Sequence, residues 1–438
     1  MKTYDQMKDS GYPWMGAIPS HWRDINPKAL FTQRKERAKE GERQLTASQQ
    51  YGVLYQEEYM ALTGSRVVVV QKDFDILKHV EAGDFVISMR SFQGGLEYSP
   101  VSGSISSAYV MLIPNKELVY PPFYKWLLKS SAYIRALQST TDLVRDGQAM
   151  RYSNFAKVRL LVAPLQEQKA ISDYLDDKVA QIDTIIAEIK NSIIEYKKWR
   201  AAIILEAVTR GLDDDVQTKE CGLEWIDSIP CSWKTAKLKA LFSFGKGLPI
   251  TKDNLIEDGI PVISYGQIHA KNNPGTTVVD DLMRFVATDY LESNPDSLVN
   301  QGDFLVADTS EDTEGCGNAV YVDRDMTLFA GYHTIILKDK GNRNNKYLSY
   351  LFRTDAWRSQ IRSRVTGVKL FSISKKLLNL VTVILPPVDE QERIVQVLDH
   401  KCGMIDSIIV EKENLISNLE QYKLSLINES VTGKRKVV

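Results

Sequence analysis

Residues 11–22 read GYPWMGAIPSHW and residues 222–233 read GLEWIDSIPCSW. A glycine, a tryptophan, an Ile-Pro pair and a closing tryptophan therefore return in one order, 211 positions apart. A second match lies deeper in each half. PLQEQKAI begins at Pro164 and PVDEQERI at Pro387, an offset of 223 that holds without a gap to Val208-Thr209 and Val431-Thr432. Each half is thus a variable block followed by a repeated long segment, and the second block is 12 residues longer. Fainter echoes sit inside the blocks. Gly83-Asp84-Phe85 returns as Gly302-Asp303-Phe304, Tyr109–Leu112 as Thr334–Leu337, and Tyr124–Tyr133 resembles Tyr347–Trp357. A unit this long that occurs twice is a duplicated domain rather than a solenoid.

The long segments have helical periodicity. In the first, Leu175, Ile182, Ile189, Tyr196 and Ile203 recur every seven residues, with Val179, Ile186 and Ile193 interleaved. In the second, Leu398, Ile405, Leu419 and Leu426 form one row and Cys402, Ile409 and Ile416 the other, with Lys412 interrupting the first row. These are the a and d rows of a coiled coil. From Glu167 to Arg210 is 44 residues, about 65 Å of helix at roughly 1.5 Å per residue. Proline ahead (Pro164; Pro386-Pro387) and glycine behind (Gly211; Gly433) mark the ends. A helix with one exposed apolar seam needs a partner, and the chain supplies one with matching period. Antiparallel packing of the two is the simplest closed arrangement.

The blocks read as mixed α/β. Val67–Val70, Phe85–Ile87, Tyr109–Ile113, Val262–Ser264, Thr334–Leu337 and Leu380–Leu385 are short β-branched runs between turn residues. Phe123–Leu137 and Asp355–Arg364 read as helical. The expected fold class is α+β: two mixed α/β domains related by pseudo-twofold symmetry, separated by two long helices in an antiparallel coiled coil. The expected bounds are 1–165, 166–211, 212–387 and 388–433.

Composition adds exclusions. Hydrophobic residues make up 43% and charged residues 25%, with a net charge of −1, so neither disorder nor an overall basic coat is expected. No 18-residue apolar run or leader-like start is present, and Cys221, Cys231, Cys316 and Cys402 form no zinc or redox spacing. A cytoplasmic location is expected, with no membrane partner. No Walker lysine motif, G-x-S-x-G, H-E-x-x-H, Asn-Pro-Pro-aromatic motif or glycine-rich S-adenosylmethionine loop occurs. The five histidines are scattered, and Phe244-Gly-Lys-Gly247 lacks a third glycine. A duplicated chain without a duplicated catalytic constellation reads as a binder, so no catalytic residue, metal or cofactor is assigned to it.

Positive charge is local. Arg353, Arg358, Arg362, Arg364, Lys369, Lys375 and Lys376 face one acid, Asp355. Lys125, Lys129, Arg135, Arg145, Arg151, Lys157 and Arg159 face two, Asp142 and Asp146. Both clusters precede a long helix, and such charge neutralises phosphates. Polar loops suited to reading base edges lie nearby. The candidate DNA contacts are Arg90, Ser91, Gln93, Arg145, Gln148, Arg151, Tyr152 and Asn154 in the first block. In the second they are Tyr265, Gln267, His269, Lys271, Asn272, Arg362, Arg364, Lys369, Phe371 and Ser372.

The ordered pairs Trp14/Ile18-Pro19/Trp22 and Trp225/Ile229-Pro230/Trp233, the Gly-Asp-Phe turns and the Pro-x-x-Glu-Gln-x-x-Ile helix starts resemble the specificity subunits of Type I restriction–modification enzymes over essentially the whole chain. Ala163-Pro164, against Pro386-Pro387, is a small departure at helix entry. The resemblance implies two target-recognition domains, each binding half of an asymmetric, bipartite site in double-stranded DNA. It implies helices that set the spacer and dock two methyltransferase subunits, alongside two ATP-dependent restriction subunits. S-adenosylmethionine, ATP and Mg would then belong to those partners and not to this chain. The tryptophan–proline openings are expected to anchor each domain beside its helix. Two other classes fit the residues: a stand-alone methyltransferase or nuclease with an unrecognised site, and a purely structural two-arm scaffold.

Overall fold

In a computed structural model the described residues are 3–67, 76–140, 150–213, 215–341, 344–367 and 369–437. The chain divides into two compact units, one made of residues 1–190 and 413–438, the other of 191–412. Two helices dominate, Leu165–Arg210 and Val388–Val431. Each gives one part of its length to the first unit and the rest to the second.

The two units share a sheet. In the first, four antiparallel strands stand in the order Phe31–Arg34, Val110–Pro114, Phe85–Ile87, Glu97–Tyr98. In the second the order is Phe242–Lys246, Thr334–Asp339, Phe304–Ala307, Ala319–Tyr321. The Gly-Asp-Phe echo makes the same corner in both. Gly83 (φ 99°) and Gly302 (φ 97°) take the left-handed turn that a Cβ disfavours. Asp84 and Asp303 accept the backbone N–H of Glu81 and Asn300, each three residues earlier. Phe85 and Phe304 then enter the core, edge-on to Phe31 (5.5 Å) and Phe242 (5.7 Å). The second unit adds another four-stranded sheet, Arg284–Val286, Ile260–Ile263, Leu328–Ala330, Leu298–Val299, with one parallel pairing.

The repeated openings and helix starts form a latch. Trp22 is fully buried and its indole N–H donates to Glu167 (2.7 Å); Trp233 does the same to Glu390 (3.0 Å). The following glutamine locks the helix start from inside. Gln168 donates to the Ala163 carbonyl and accepts from the Tyr120 N–H; Gln391 donates to the Pro386 carbonyl and accepts from the Asn344 N–H. Buried amide groups must be paired, which explains why Glu-Gln travels with the tryptophan. In each unit a strand just before the long helix pairs with one just after the tryptophan: Leu160–Val162 with Arg23–Ile25, and Thr382–Leu385 with Lys234–Lys237.

Within each unit the long helices pack antiparallel. In the first, Leu175, Ile182 and Ile186 share a core with Leu426 and Val431, and Lys423 reaches Asp183 at 2.6 Å. In the second, Ile204, Ala207 and Val208 share a core with Ile394, Leu398 and Cys402, and Arg200 meets Asp406 at 3.0 Å. Lys412, which breaks the heptad row, lays its ammonium 5.5 Å from the centre of the Tyr196 ring. The seam drifts by one residue at the end of the first helix, where Ile204 is buried and Ile203 only half-buried. A straight α-helix slips against a strict heptad in this way.

Two local expectations are corrected. Phe123–Leu137 is two helices, Pro121–Leu127 and Ser131–Gln138, because Ser130 caps the second by accepting the Tyr133 N–H. The helix expected at 355–364 ends at Arg362. Of the strand expected at 67–70, residues 68–70 lie outside the described residues. Among the described residues the four cysteines are free, no helix is long and apolar enough to cross a membrane, and no metal-binding cluster of His, Cys, Asp or Glu occurs.

Candidate nucleic-acid interface

In the first unit the turn after the strand Phe85–Ile87 exposes Arg90 and Gln93 and buries Ser91. The Ser91 hydroxyl accepts the Ser88 N–H (2.9 Å), so it builds the turn that presents its neighbours. The loop holding Arg151 is organised by Asn154, whose amide accepts from the Arg151 N–H and donates to the Thr140 carbonyl. Arg151 is exposed, and Tyr152 is half-buried against Phe155. Ser91 and Asn154 thus hold loops rather than offer free polar edges. Arg145 and Gln148 lie outside the described residues.

Three cations of this unit's basic cluster are paired. Lys125 meets Asp176 (2.9 Å), Arg159 meets Asp24, and Lys129 reaches Glu97 at 2.6 Å. Burial pushes the Glu97 carboxyl up to about 7 even with that ammonium beside it. Lys129 also donates to the Gln49 carbonyl, and the Gln49 amide donates to the Arg90 carbonyl. Helix end, hairpin and Arg90 turn are therefore tied together.

In the second unit, loops far apart in sequence converge. Tyr265–Ile268 is a one-turn helix in which Gln267 accepts the Ser264 N–H. His269 Nε2 lies 2.8 Å from the Thr309 carbonyl and its Nδ1 3.1 Å from the Asn318 amide, which hold the ring in place. Thr309–Ser310 in turn pairs with Phe371–Ser372. The loop 265–273 and the segment 366–372, both candidates from sequence, meet across this two-stranded ribbon. Lys271, Asn272, Lys369 and Ser372 are exposed, while Phe371 packs on the core. Arg362 is engaged by Asp355 (2.9 Å) and the Glu314 carbonyl (2.7 Å). Arg364 donates to the Gln360 carbonyl (2.6 Å). A cleft of about 570 Å³ opens between Tyr265, His269, Lys271, Arg353 and Arg358.

Sequence reasoning missed His333 and its setting. His333 is the one non-glycine residue with positive φ (56°) among the described residues, and its side chain is 57% exposed. Its ring lies 5.4 Å from Tyr265 and 6.1 Å from Tyr332, and Nδ1 sits 3.2 Å from the Asp308 carboxylate. This is an exposed imidazole in a strained backbone setting, held beside two tyrosines, and such strain concentrates at functional positions. Nothing in the sequence marks it except an aromatic pair between two strands.

Residues 230–420 match the family model described as "Type I restriction modification DNA specificity domain". The Type I restriction enzyme MjaVIII specificity subunit of Methanocaldococcus jannaschii is 21% identical over 87% of this chain and 83% of its own length. The EcoKI specificity subunit of Escherichia coli K12 is 23% identical, over 80% and 74%. Among solved structures, a chain from work on assembly and conformational transition of a type I R-M system aligns with a TM-score of 0.69 at 13% identity, covering 94% of this chain and 98% of that one. The HsdS subunit of Thermoanaerobacter tengcongensis aligns at 0.54 with 14% identity, over 95% and 98%.

Proposed function

We propose that the chain is a specificity subunit of a Type I restriction–modification system, which reads one asymmetric, two-part DNA sequence and brings methyltransferase and restriction subunits to it. Each mixed α/β domain grips one half-site. Phosphate contacts from exposed lysines and arginines fix register, while the divergent loops carry base readout. In the first domain the reading surface is the Arg90–Gln93 turn with Arg151. In the second it is the 265–273 loop with His333, Lys369 and Ser372.

One observation carries this reading. The two domains repeat their latch, their Gly-Asp-Phe corner and their sheet order, yet differ in the loops those elements present. A conserved frame with unlike loops suits two unlike half-sites. The paired helices then fix the spacer between them and dock two methyltransferase subunits. S-adenosylmethionine, ATP and Mg act on the partners, and this chain contributes recognition without methyl transfer or cleavage.

Purified with its methyltransferase, the chain is expected to direct adenine methylation to a single bipartite sequence, measured by methylome sequencing with and without the gene. Methylation or cleavage by the chain alone would instead make it an enzyme. Methylation unchanged by removing the chain would leave it a scaffold.

A further inference from the structure

The cleft of the second unit is lined by a buried guanidinium, Arg358, that forms no ion pair among the described residues. Arg358 is 7% exposed. Its Nε donates to the Phe352 carbonyl at 2.7 Å, the end of the helix Asn345–Phe352, and its Nη2 is buried with no hydrogen-bond partner. Beside it Arg353 also lines the cleft. Among the described residues neither guanidinium forms an ion pair. The one carboxylate that bears on Arg358, Asp355, is bound by Arg362 at 2.9 Å. Glu311, Asp312 and Glu314 line the same cleft, but among the described residues none of them comes within ion-pair distance of either guanidinium; the Asp312 carboxylate accepts the Gly315 N–H (2.6 Å) and that of Glu314 the Thr313 hydroxyl (3.2 Å).

The two arginines are also held in place. A Cβ on Gly275 (φ +77°) would stand 2.6 Å from Arg353 Cδ, and one on Gly317 (φ +91°) 3.3 Å from Arg358 Cγ. Both stems lie close against glycine backbone in the left-handed region. A buried guanidinium without a counter-charge destabilises a fold, and a hydrogen bond to a helix end explains its position but not its charge. Burial, then Arg353 and Arg362, pull the Arg358 pKa down to about 9, so it remains a cation at neutral pH.

We infer that this cleft is a discrete site for one phosphate oxyanion, seated against Arg358 and Arg353. A phosphate supplies the missing charge and acceptors for Nη2 and the Arg353 guanidinium. The nearest source is the DNA backbone, with Tyr265, His269 and Lys271 on the same cleft placing the strand; that source rests on the function proposed above. Free phosphate is the other source with the same chemistry.

The test titrates inorganic phosphate against the full chain at constant ionic strength, with chloride as the reference. Thermal unfolding of the wild type is expected to shift upward saturably with phosphate. Arg358→Met is expected to unfold no earlier than the wild type in chloride and to lose the phosphate response, while Arg358→Lys keeps part of it. Arg358→Met should also bind the methylated duplex roughly ten- to hundredfold more weakly, for the loss of charge-assisted hydrogen bonds. Its salt slope should fall by about one, with the recognised bases unchanged. No phosphate-specific shift in the wild type, or an equal shift in Arg358→Met, overturns the site. A shift that Arg358→Met abolishes while duplex affinity stays the same upholds the site and makes free phosphate its ligand. If the wild type directs no methylation at all, the DNA reading fails, and the phosphate titration still decides the site.

Discussion

In the first unit Lys125, Lys129 and Arg159 each meet a carboxylate; in the second Arg362 and Arg364 do, while Arg353 and Arg358 meet none among the described residues. The two clusters look alike in sequence: seven cations each, just ahead of a long helix. The difference teaches that a basic run does not by itself make a positive surface. Asp24, Glu97 and Asp176, which pair with three of the first cluster's cations, come from outside it. In the second unit the one acid within the run, Asp355, is claimed by Arg362. The paired cations of the first unit are therefore tied into its own structure, while Arg353 and Arg358 of the second stay available for a ligand.

What the units share is tested most strongly at the latch. Trp22→Ala and Trp233→Ala should each destabilise their own unit by about 4 kcal/mol, the cost of emptying a buried aromatic site. Denaturant unfolding of the full chain measures both, and a near-silent substitution in either unit would break the equivalence. Next in size are the paired cations of the first cluster. The Glu97 carboxyl titrates near 7 in the fold against an ordinary 4.5, so the folded state holds a proton that the unfolded chain releases. Its contribution to stability is complete below about 4.5 and is lost as pH rises through about 7. Lys129→Met should cost about 2 kcal/mol at pH 8, where the buried carboxylate is stranded, and little at pH 5, where it is protonated. An equal cost at both pH values would sever the pair from the account.

The second cluster should respond with opposite sign. Arg358→Met is expected to raise stability by about 1 kcal/mol in phosphate-free buffer, since an apolar side chain replaces an uncompensated charge. A marked loss of stability would show that Arg358 is structural, like Lys129. The smallest effect belongs to Arg364, whose side chain is 38% exposed and whose ion pair with Glu224 spans 3.6 Å. Arg364→Ala should change stability by about 0.3 kcal/mol, yet lower the salt slope of duplex binding by about one. An unchanged slope would remove it from the phosphate contacts.

The frame was readable in advance because it is written in periodicity and repetition. Seven-residue spacing from Leu175 and from Leu398 gives the long helices, and the doubled Trp and Glu-Gln positions give the latch. The break at Ser130 was not readable, since one side-chain cap overrode a continuous helical pattern. The site is less legible for a related reason. Ser91 and Asn154 look like free polar groups in sequence, but local hydrogen bonds that depend on loop shape engage them. The unpaired state of Arg358 follows from Arg362 holding Asp355, and the setting of His333 from neighbours tens of residues away, Asp308 and Tyr265. No spacing rule reaches that far.

The central claim is that two unlike domains read two half-sites at a distance set by the helices. One heptad inserted after Ile189, matched by another after Lys412, would lengthen the helix pair by about 10 Å, or roughly three base pairs. Methylome sequencing of that variant should show both half-site sequences kept and the spacer between them lengthened. An unchanged spacer, or altered bases in either half-site, would contradict the account.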